Sequence, residues 1–426
     1  MTVLFFTLGC KVNQYETQAM REQLAAAGYT PLSSDDESVA DVIVVNSCSV
    51  TAESDRKARQ LCRRLRSEHP GAVLVLCGCS AQAYPEAAAA LPVDVVLGNS
   101  RRADLLASIE EFRATRTQVV RVPAHTKAFE PLCITDFDER TRAFVKIEDG
   151  CDRFCSYCII PKARGRIRSR DLDALKTELT ALAANGFHEV VLTGINLTAF
   201  GKETGRDLAD AVALACAVPG IERVRLGSLE PEDMTPALIE KLKACDKLCP
   251  QFHLSLQSGC DATLKRMRRR YDTALYARIC ADLRAAFPAC AITTDVMVGF
   301  PGETEEEFAS SLAFVKQIGF ARAHVFAYSR REGTPAAAET AQVSAAEKSR
   351  RSRVMTAVCN ETRDAFLQAQ IGTVATLLTE QNDGTATVGY TENYTPVKLH
   401  GVVPQNTQIP VRLAAVENGV CLAEIL

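Results

Sequence analysis

The stretch AFVKIEDGCDRFCSYCIIPKARGRIRSR, residues 143–170, decides the architecture. It begins as an apolar, strand-length run and ends by delivering Cys151, Cys155 and Cys158 on one short loop. A strand that passes straight into ligating residues is how a (β/α) barrel loads its carboxyl-terminal rim. Five further runs have the same character: EVVLTGIN (189–196), RVRLGSLEP (223–231), FHLSLQSG (252–259), AITTDVMVGFP (291–301) and ARAHVFAYSRR (321–331). Helical patterns such as DLDALKTELTALAANG separate them. Six strand–helix units predict an α/β chain whose centre, residues 137–366, is a partial (β/α)6 barrel. TGIN, GSLEP, LQSG, VGFPGE and YSRREGTP then gather at the same rim as the cysteines.

The Cx3Cx2C loop offers three thiolates. A structural zinc takes four ligands, and His125, His188 and His253 all lie outside the loop. A 4Fe–4S cluster on three thiolates instead keeps one iron free to chelate a small molecule through an amine and a carboxylate. S-adenosylmethionine carries both groups. Cluster potentials reach roughly −700 mV, low enough for an electron to break the sulfonium C–S bond and release a 5′-deoxyadenosyl radical. Cys151, Cys155 and Cys158 are therefore metal-binding and catalytic candidates.

Upstream, VLFFTLGC (3–10), DVIVVNSC (41–48), VLVLCGC (73–79) and VDVVLGN (93–99) alternate with helical patterns, which predicts a parallel-sheet domain over residues 1–115. Cys10, Cys48 and Cys79 each stand at the carboxyl end of a strand, so parallel pairing brings them to one rim as a second three-thiolate site. The plainer alternative is three buried strand-end cysteines. Cys77, two residues before Cys79 on the same strand face, reads as a decoy in preference to an alternate ligand. Downstream, residues 367–426 read as about five short strands around an Asn-Asp-Gly turn, a small β-barrel. Tyr390, Tyr394, Lys398 and His400 are its candidates for RNA contact, against the plainer reading that the tyrosines pack the barrel.

The 426 residues are 47% hydrophobic and 24% charged, with no apolar run of bilayer length. The start MTVLFFTLGC lacks a positive leader, and the expected compartment is the cytoplasm. An odd 17 cysteines there argues against a disulfide scaffold. Cys216, Cys245, Cys280, Cys359 and Cys421 are expected as core filler. The net charge of −3 gives no global attraction to nucleic acid, but basic clusters at 56–66, 162–170 and 265–271 suit a local polyanion contact. Neither GxxxxGK[ST] nor GxGxxG occurs, which argues against a P-loop ATPase or a dehydrogenase.

CDRFCSYC resembles the signature of radical S-adenosylmethionine enzymes, and TLGCKVNQYET, NSCSVT and CGCSAQ resemble the N-terminal domain of methylthiotransferases. FHLSLQSGCDATLKRMRRRY, DVMVGFPGET and FAYSRREGTPAA follow in that family's order. The TLGCKVNQYE start is most similar to the subgroup acting on threonylcarbamoyladenosine in tRNA. The resemblance implies a flavodoxin-like N-terminal sheet, a radical barrel and a C-terminal TRAM-like module. It implies two 4Fe–4S clusters, on Cys10/Cys48/Cys79 and on Cys151/Cys155/Cys158, and two molecules of S-adenosylmethionine per turnover. The product would be the 2-methylthio derivative of the base next to the anticodon, position 37. Partners implied are a tRNA anticodon stem-loop and a reductant such as flavodoxin or ferredoxin, with no membrane and no DNA.

Tyr157, Gly194, Asn196, Ser228, Glu230, Gln257, Ser258, Val298 and Gly299 are the cofactor-pocket candidates. Gly194 and Asn196 would approach the amino-acid part, Ser228 and Glu230 the methionyl or ribose groups, and Val298 and Gly299 the adenine. Arg164 and Arg170 are expected to meet the cofactor carboxylate or a tRNA phosphate. Rival readings are the same chemistry on isopentenyladenosine or on a ribosomal-protein aspartate, and a zinc-stabilised RNA-binding protein without catalysis.

Overall fold

In the computed structural model, residues 1–33, 40–137 and 141–426 are described. β-branched and aliphatic runs form the strands β1 (Thr2–Thr7), β2 (Thr30–Pro31), β3 (Val42–Ser47), β4 (Val73–Gly78), β5 (Val95–Leu97) and β6 (Val119–Arg121). All pair in parallel, in the order β2-β1-β3-β4-β5-β6. This is the flavodoxin-like order, with the switch point between β1 and β3. The sheet runs past residue 115, because β6 closes its far edge at Arg121. The short strands β2 and β6 carry too few residues to show a period.

The central region supplies β7 (Arg142–Lys146), the two-residue strands β8 (Glu148–Asp149) and β9 (Arg168–Ser169), then β10 (Glu189–Thr193), β11 (Arg223–Leu226), β12 (Ser228–Leu229), β13 (Gln251–Leu254), β14 (Ala291–Val298) and β15 (Arg322–Ala327). β11-β10-β7 and β12-β13-β14-β15 are two parallel sheets, and β11 and β12 are one strand interrupted at Gly227. Together they make the six-stranded open barrel. The helices between them start on side-chain caps: Asp171 accepts from Asp173 N and Ala174 N, and Thr304 and Glu307 form a capping box. Among the described residues β7 and β15 do not pair, so the barrel stays open on that side. β8 and β9 pair antiparallel and pin both ends of the segment that holds the cysteine loop.

The helix Ala345–Gln368 leads to the last domain. There β16 (Val374–Asn382), β17 (Ala386–Tyr390), β18 (Pro396–His400), β19 (Gln408–Glu417) and β20 (Val420–Ile425) close in the order β16-β17-β18-β20-β19 around Leu377, Val397, Leu399, Val411, Leu413 and Cys421. Cys216, Cys280 and Cys359 are buried as expected of filler, and Cys245 is half-buried. No helix among the described residues is long and apolar enough to cross a membrane.

Candidate active site

The loop from Gly150 to Cys158 is shaped by backbone before side chains. Gly150 has φ +98°, and a Cβ there would lie 2.0 Å from the Arg166 carbonyl oxygen, so only glycine lets the two chain segments pass. Cys151 N donates to the Gly165 carbonyl at 3.0 Å, and Ser156 N donates to the Met267 carbonyl at 3.0 Å. Tyr157 meets Phe300 edge-on, with ring centroids 6.3 Å apart. The apolar cluster of Met267, Phe300, Tyr328 and Ala336 supports it, so VGFPGE and YSRREGTP buttress the loop. Cys155 is buried, while Cys151 and Cys158 are partly open. Desolvation, then the neighbouring Cys155, pushes the Cys158 thiol up to about 12. A metal must displace that proton to bind.

Arg269 donates from Nη1 to Cys155 Sγ at 3.2 Å while its other nitrogen pairs with Glu230. The basic run at 265–271 is expected to offer a polyanion contact, yet its Arg269 is turned inward onto a thiol. Nothing in its sequence context separates it from Arg268, which is exposed.

Cys10, Cys48 and Cys79 come together at the rim of the N-terminal sheet. Gly9 has φ +128°, and its absent Cβ would lie 2.9 Å from the Cys48 Cβ, which brings the Cys10 turn onto the end of β3. Asn13 and Asn46 exchange bonds across the same junction, Asn46 Nδ2 donating to the Asn13 carbonyl at 3.0 Å. Cys10 occupies the N-cap position of the helix Lys11–Ala26 without a side-chain cap bond, at the partial positive end that favours a thiolate. Burial, then Cys79, lifts the Cys48 thiol to about 12. Cys79 accepts from Arg164 Nε at 3.2 Å and from Asn99 Nδ2 at 3.7 Å. Cys77 points instead into the core beside Met20.

All six triad cysteines are free of disulfides. Among the described residues no three His, Cys, Asp or Glu side chains gather tightly enough for a single metal ion. Thiolates that each bind a different iron of a cubane need not converge so closely. Such a cluster with its thiolates is anionic, and each triad receives an N–H from a buried arginine. The donor sets therefore fit iron–sulfur clusters better than a zinc ion.

Between the triads lies a buried ionic network. Glu16 meets Arg102 at 2.8 Å, Lys146 at 2.9 Å and Arg164. Arg102 also meets Glu130 at 3.1 Å, and Asp149 meets Lys146, Arg164 and Arg168 at 3.3 to 3.4 Å. The roles expected of Arg164 and Arg170 are overturned here. Both are buried, Arg164 against Glu16 and Asp149, Arg170 against Glu178 and Tyr15, so neither reaches an external anion. Only Lys162 and Arg166 of that cationic row are exposed, Arg166 over the ring of the exposed Phe154 at 4.9 Å. Lys57, Arg59 and Arg63 are exposed in the first cluster.

The other candidates divide. Glu230 holds Arg269 at the triad. Asn196 is buried, its N–H on Glu148 Oε2 at 2.6 Å, and Gly194 is packed over the same carboxyl. Burial raises the Glu148 pKa well above the usual range, and its Oε1 has no partner. Gln257, at φ +64°, bridges to Val296 of β14. Ser258 and Val298 are buried, Val298 among core residues, and the face of Gly299 is filled by Lys348. Tyr390 and Tyr394 stack at 4.3 Å beneath Arg142, and Arg225 covers Tyr394. They dock the small barrel on the central domain, whereas Lys398 and His400 stay exposed. His125 bonds the Lys162 carbonyl at 2.8 Å, and His188 stands beside Glu222.

Register sets what faces the barrel interior. Ser228 pairs with His253, His253 with Thr293, Thr293 with Arg322 and Asp295 with His324, so these share one face. Phe252, Leu254, Ile292 and Val296 of the opposite face enter the core under the helices. His253 Nε2 is 3.4 Å from Asp295 Oδ2, and Phe326 on the same face is 48% exposed. Partial burial, then Arg322, lowers the His324 pKa, and Lys11, next to Cys10, contributes in the same direction. A polar, partly open floor thus lies near Lys11.

Two family models match the chain: one described as "Radical SAM superfamily" over residues 145–315, the other as "Uncharacterized protein family UPF0004" over residues 2–98. The chain is 39% identical to "Threonylcarbamoyladenosine tRNA methylthiotransferase MtaB" of Bacillus subtilis (strain 168), covering 94% of this chain and 90% of the relative. It is 34% identical to "tRNA-2-methylthio-N(6)-dimethylallyladenosine synthase" of Symbiobacterium thermophilum, covering 88% and 83%. Among solved structures, the radical S-adenosylmethionine methyltransferase TsrM of Kitasatospora setae shares the fold at TM-score 0.59 and 17% identity, over 79% of this chain and 77% of that one.

Proposed function

This chain belongs to the radical S-adenosylmethionine methylthiotransferases, and from that premise we propose that it converts N6-threonylcarbamoyladenosine, next to the anticodon at tRNA position 37, to its 2-methylthio form. The observation that carries the reading is the pair of cysteine triads, each at the carboxyl end of parallel strands and each touched by a buried arginine.

Cys151, Cys155 and Cys158 are assigned to the 4Fe–4S cluster that binds S-adenosylmethionine, and Cys10, Cys48 and Cys79 to a second cluster, the seat of the transferred sulfur. The cofactors supply hydrogen abstraction from an unactivated aromatic carbon, which acid–base groups cannot perform. The chain's own residues position and exclude. Arg269, braced by Glu230, orients the Cys155 thiolate. Tyr157 and Phe300 shield the loop. Exposed Arg166 on Phe154 offers a cation and a ring to a splayed nucleotide.

The substrate reading rests on the barrel floor. Lys11 suits the carboxylate of a threonylcarbamoyl group, His324, its pKa lowered, adds a neutral hydrogen-bonding ring beside it, and Phe326 suits the base. A dimethylallyl group offers nothing for the Lys11 charge to bind. A one-electron donor of the flavodoxin or ferredoxin type is the required reductant, and a tRNA substrate points to the cytoplasm. The test is nucleoside mass spectrometry of tRNA from a strain lacking the gene and from one complemented with it. Loss and recovery of the 2-methylthio-threonylcarbamoyl nucleoside is expected. Its persistence without the gene overturns the substrate assignment.

A further inference from the structure

Arg164 lies six residues after Cys158, yet its guanidinium ends at the other triad. The short helix Ile160–Arg164 continues the loop of the radical triad and packs against the helix Cys79–Ala83, with Ile159 and Ala163 against Cys79 and Ala83. Asn99 Nδ2 bonds the Ala163 carbonyl at 2.6 Å and also approaches Cys79 Sγ. The side chain of Arg164 is fully buried. Nη2 is 3.0 Å from Glu16 Oε2, Nη1 faces Asp149 at 3.4 Å, and Nε points at Cys79 Sγ at 3.2 Å.

The charges of this network do not balance. Glu16, Glu130 and Asp149 face Arg102, Lys146, Arg164 and Arg168, one cation more than the carboxylates match. A buried unmatched charge is strongly unfavourable unless an anion stands beside it. Nε of Arg164 is not taken up by a carboxylate and is aimed at sulfur, whereas Nε of Arg102 is buried without a hydrogen-bond partner.

We propose that Arg164 is a positioning residue for the cluster on Cys10, Cys48 and Cys79: its Nε–H bonds the Cys79 thiolate, and the network's spare positive charge sets that cluster's reduction potential. Hydrogen bonds to the sulfurs and local charge are the levers by which a protein tunes such a centre. The residue that tunes the second centre is carried by the loop of the first. This inference rests on the two-cluster reading of the preceding section.

The test isolates the second centre in full-length protein with Cys151, Cys155 and Cys158 changed to alanine, reconstituted anaerobically. About four irons per chain are expected. Protein grown on 15N-arginine should show 15N hyperfine coupling in pulsed paramagnetic resonance of the reduced cluster. Arg164→Met should remove that coupling and move the midpoint potential downward with iron content kept, and Arg164→Lys should recover part of the shift. An unlabelled-like spectrum, or an unmoved potential in an iron-loaded Arg164→Met protein, overturns the inference and leaves the two-cluster reading standing. A protein that takes up no iron overturns both. Should Arg164→Met fail to fold, the 15N measurement on the otherwise unchanged chain decides the matter alone.

Discussion

Cys155 is the most enclosed thiol of its triad and the one held by Arg269, so its loss is the most direct test of the radical site. Cys155→Ala is expected to abolish turnover while iron falls from about eight to about four per chain, read by metal analysis. Glu16 gives a test of pH dependence. Burial alone would raise its pKa, but Arg102, Arg164 and Lys146 hold it down to about 2. A depressed carboxylate stabilises the fold above its unfolded pKa of about 4.3. That contribution is lost as pH falls through about 2. Glu16→Gln should therefore cost about 3–5 kcal/mol at pH 7, and the gap to the parent protein should narrow from about pH 4.3 downward, measured by chemical unfolding across pH. At this scale the sequence shows thiols but not their partners. The six cysteines are legible because spacing and strand ends mark them. Arg269 and Arg164 are not, because a cation's direction depends on which strand and helix meet it.

The elements are legible wherever a hydrophobic period runs long enough. The six barrel strands and the five of the small barrel follow their patterns, while β2 and β6 are too short to show one. Gly227 splits β11 from β12 without changing the strand's direction, which period alone does not reveal. Glycine placement is the feature most exposed to test. Gly150→Ala would set a Cβ against the Arg166 carbonyl in a left-handed conformation. It should destabilise the cysteine loop by roughly 1–3 kcal/mol and lower cluster occupancy, read by the visible iron–sulfur absorbance, with the C-terminal barrel unaffected. Survival of full absorbance would show that β8 and β9 do not hold the loop.

At the scale of the molecule, the N-terminal and central domains share apolar packing, Tyr15 and Ala19 joining the barrel core and Ile159 and Ala163 lying against Cys79 and Ala83, whereas the last barrel docks through polar and cation–π contacts. Arg142 and Arg225 grip Tyr394 and Tyr390 of the last barrel, and Asn406 Nδ2 reaches the Gly186 carbonyl at 2.8 Å. Tyr394→Ala should loosen this docking by about 1–2 kcal/mol, visible as faster hydrogen exchange over residues 374–425. For RNA attraction we propose the exposed Lys57, Arg59 and Arg63 of the first basic cluster. Reversing those three charges should weaken tRNA binding and flatten its salt dependence, with no change in iron content. The domain order was legible from strand–helix alternation; which faces the domains turn to each other was not, since the tyrosines read equally as core or as stacking platform.

The seven-charge junction draws its members from Glu16, Arg102 and Glu130 at the front of the chain and from Lys146, Asp149, Arg164 and Arg168 far behind them. A hybrid enzyme spliced at the apparent seam near residue 137 would therefore inherit half a set of charges from each parent. The workable crossover lies beyond Ser169, where the front half travels with the segment that completes it.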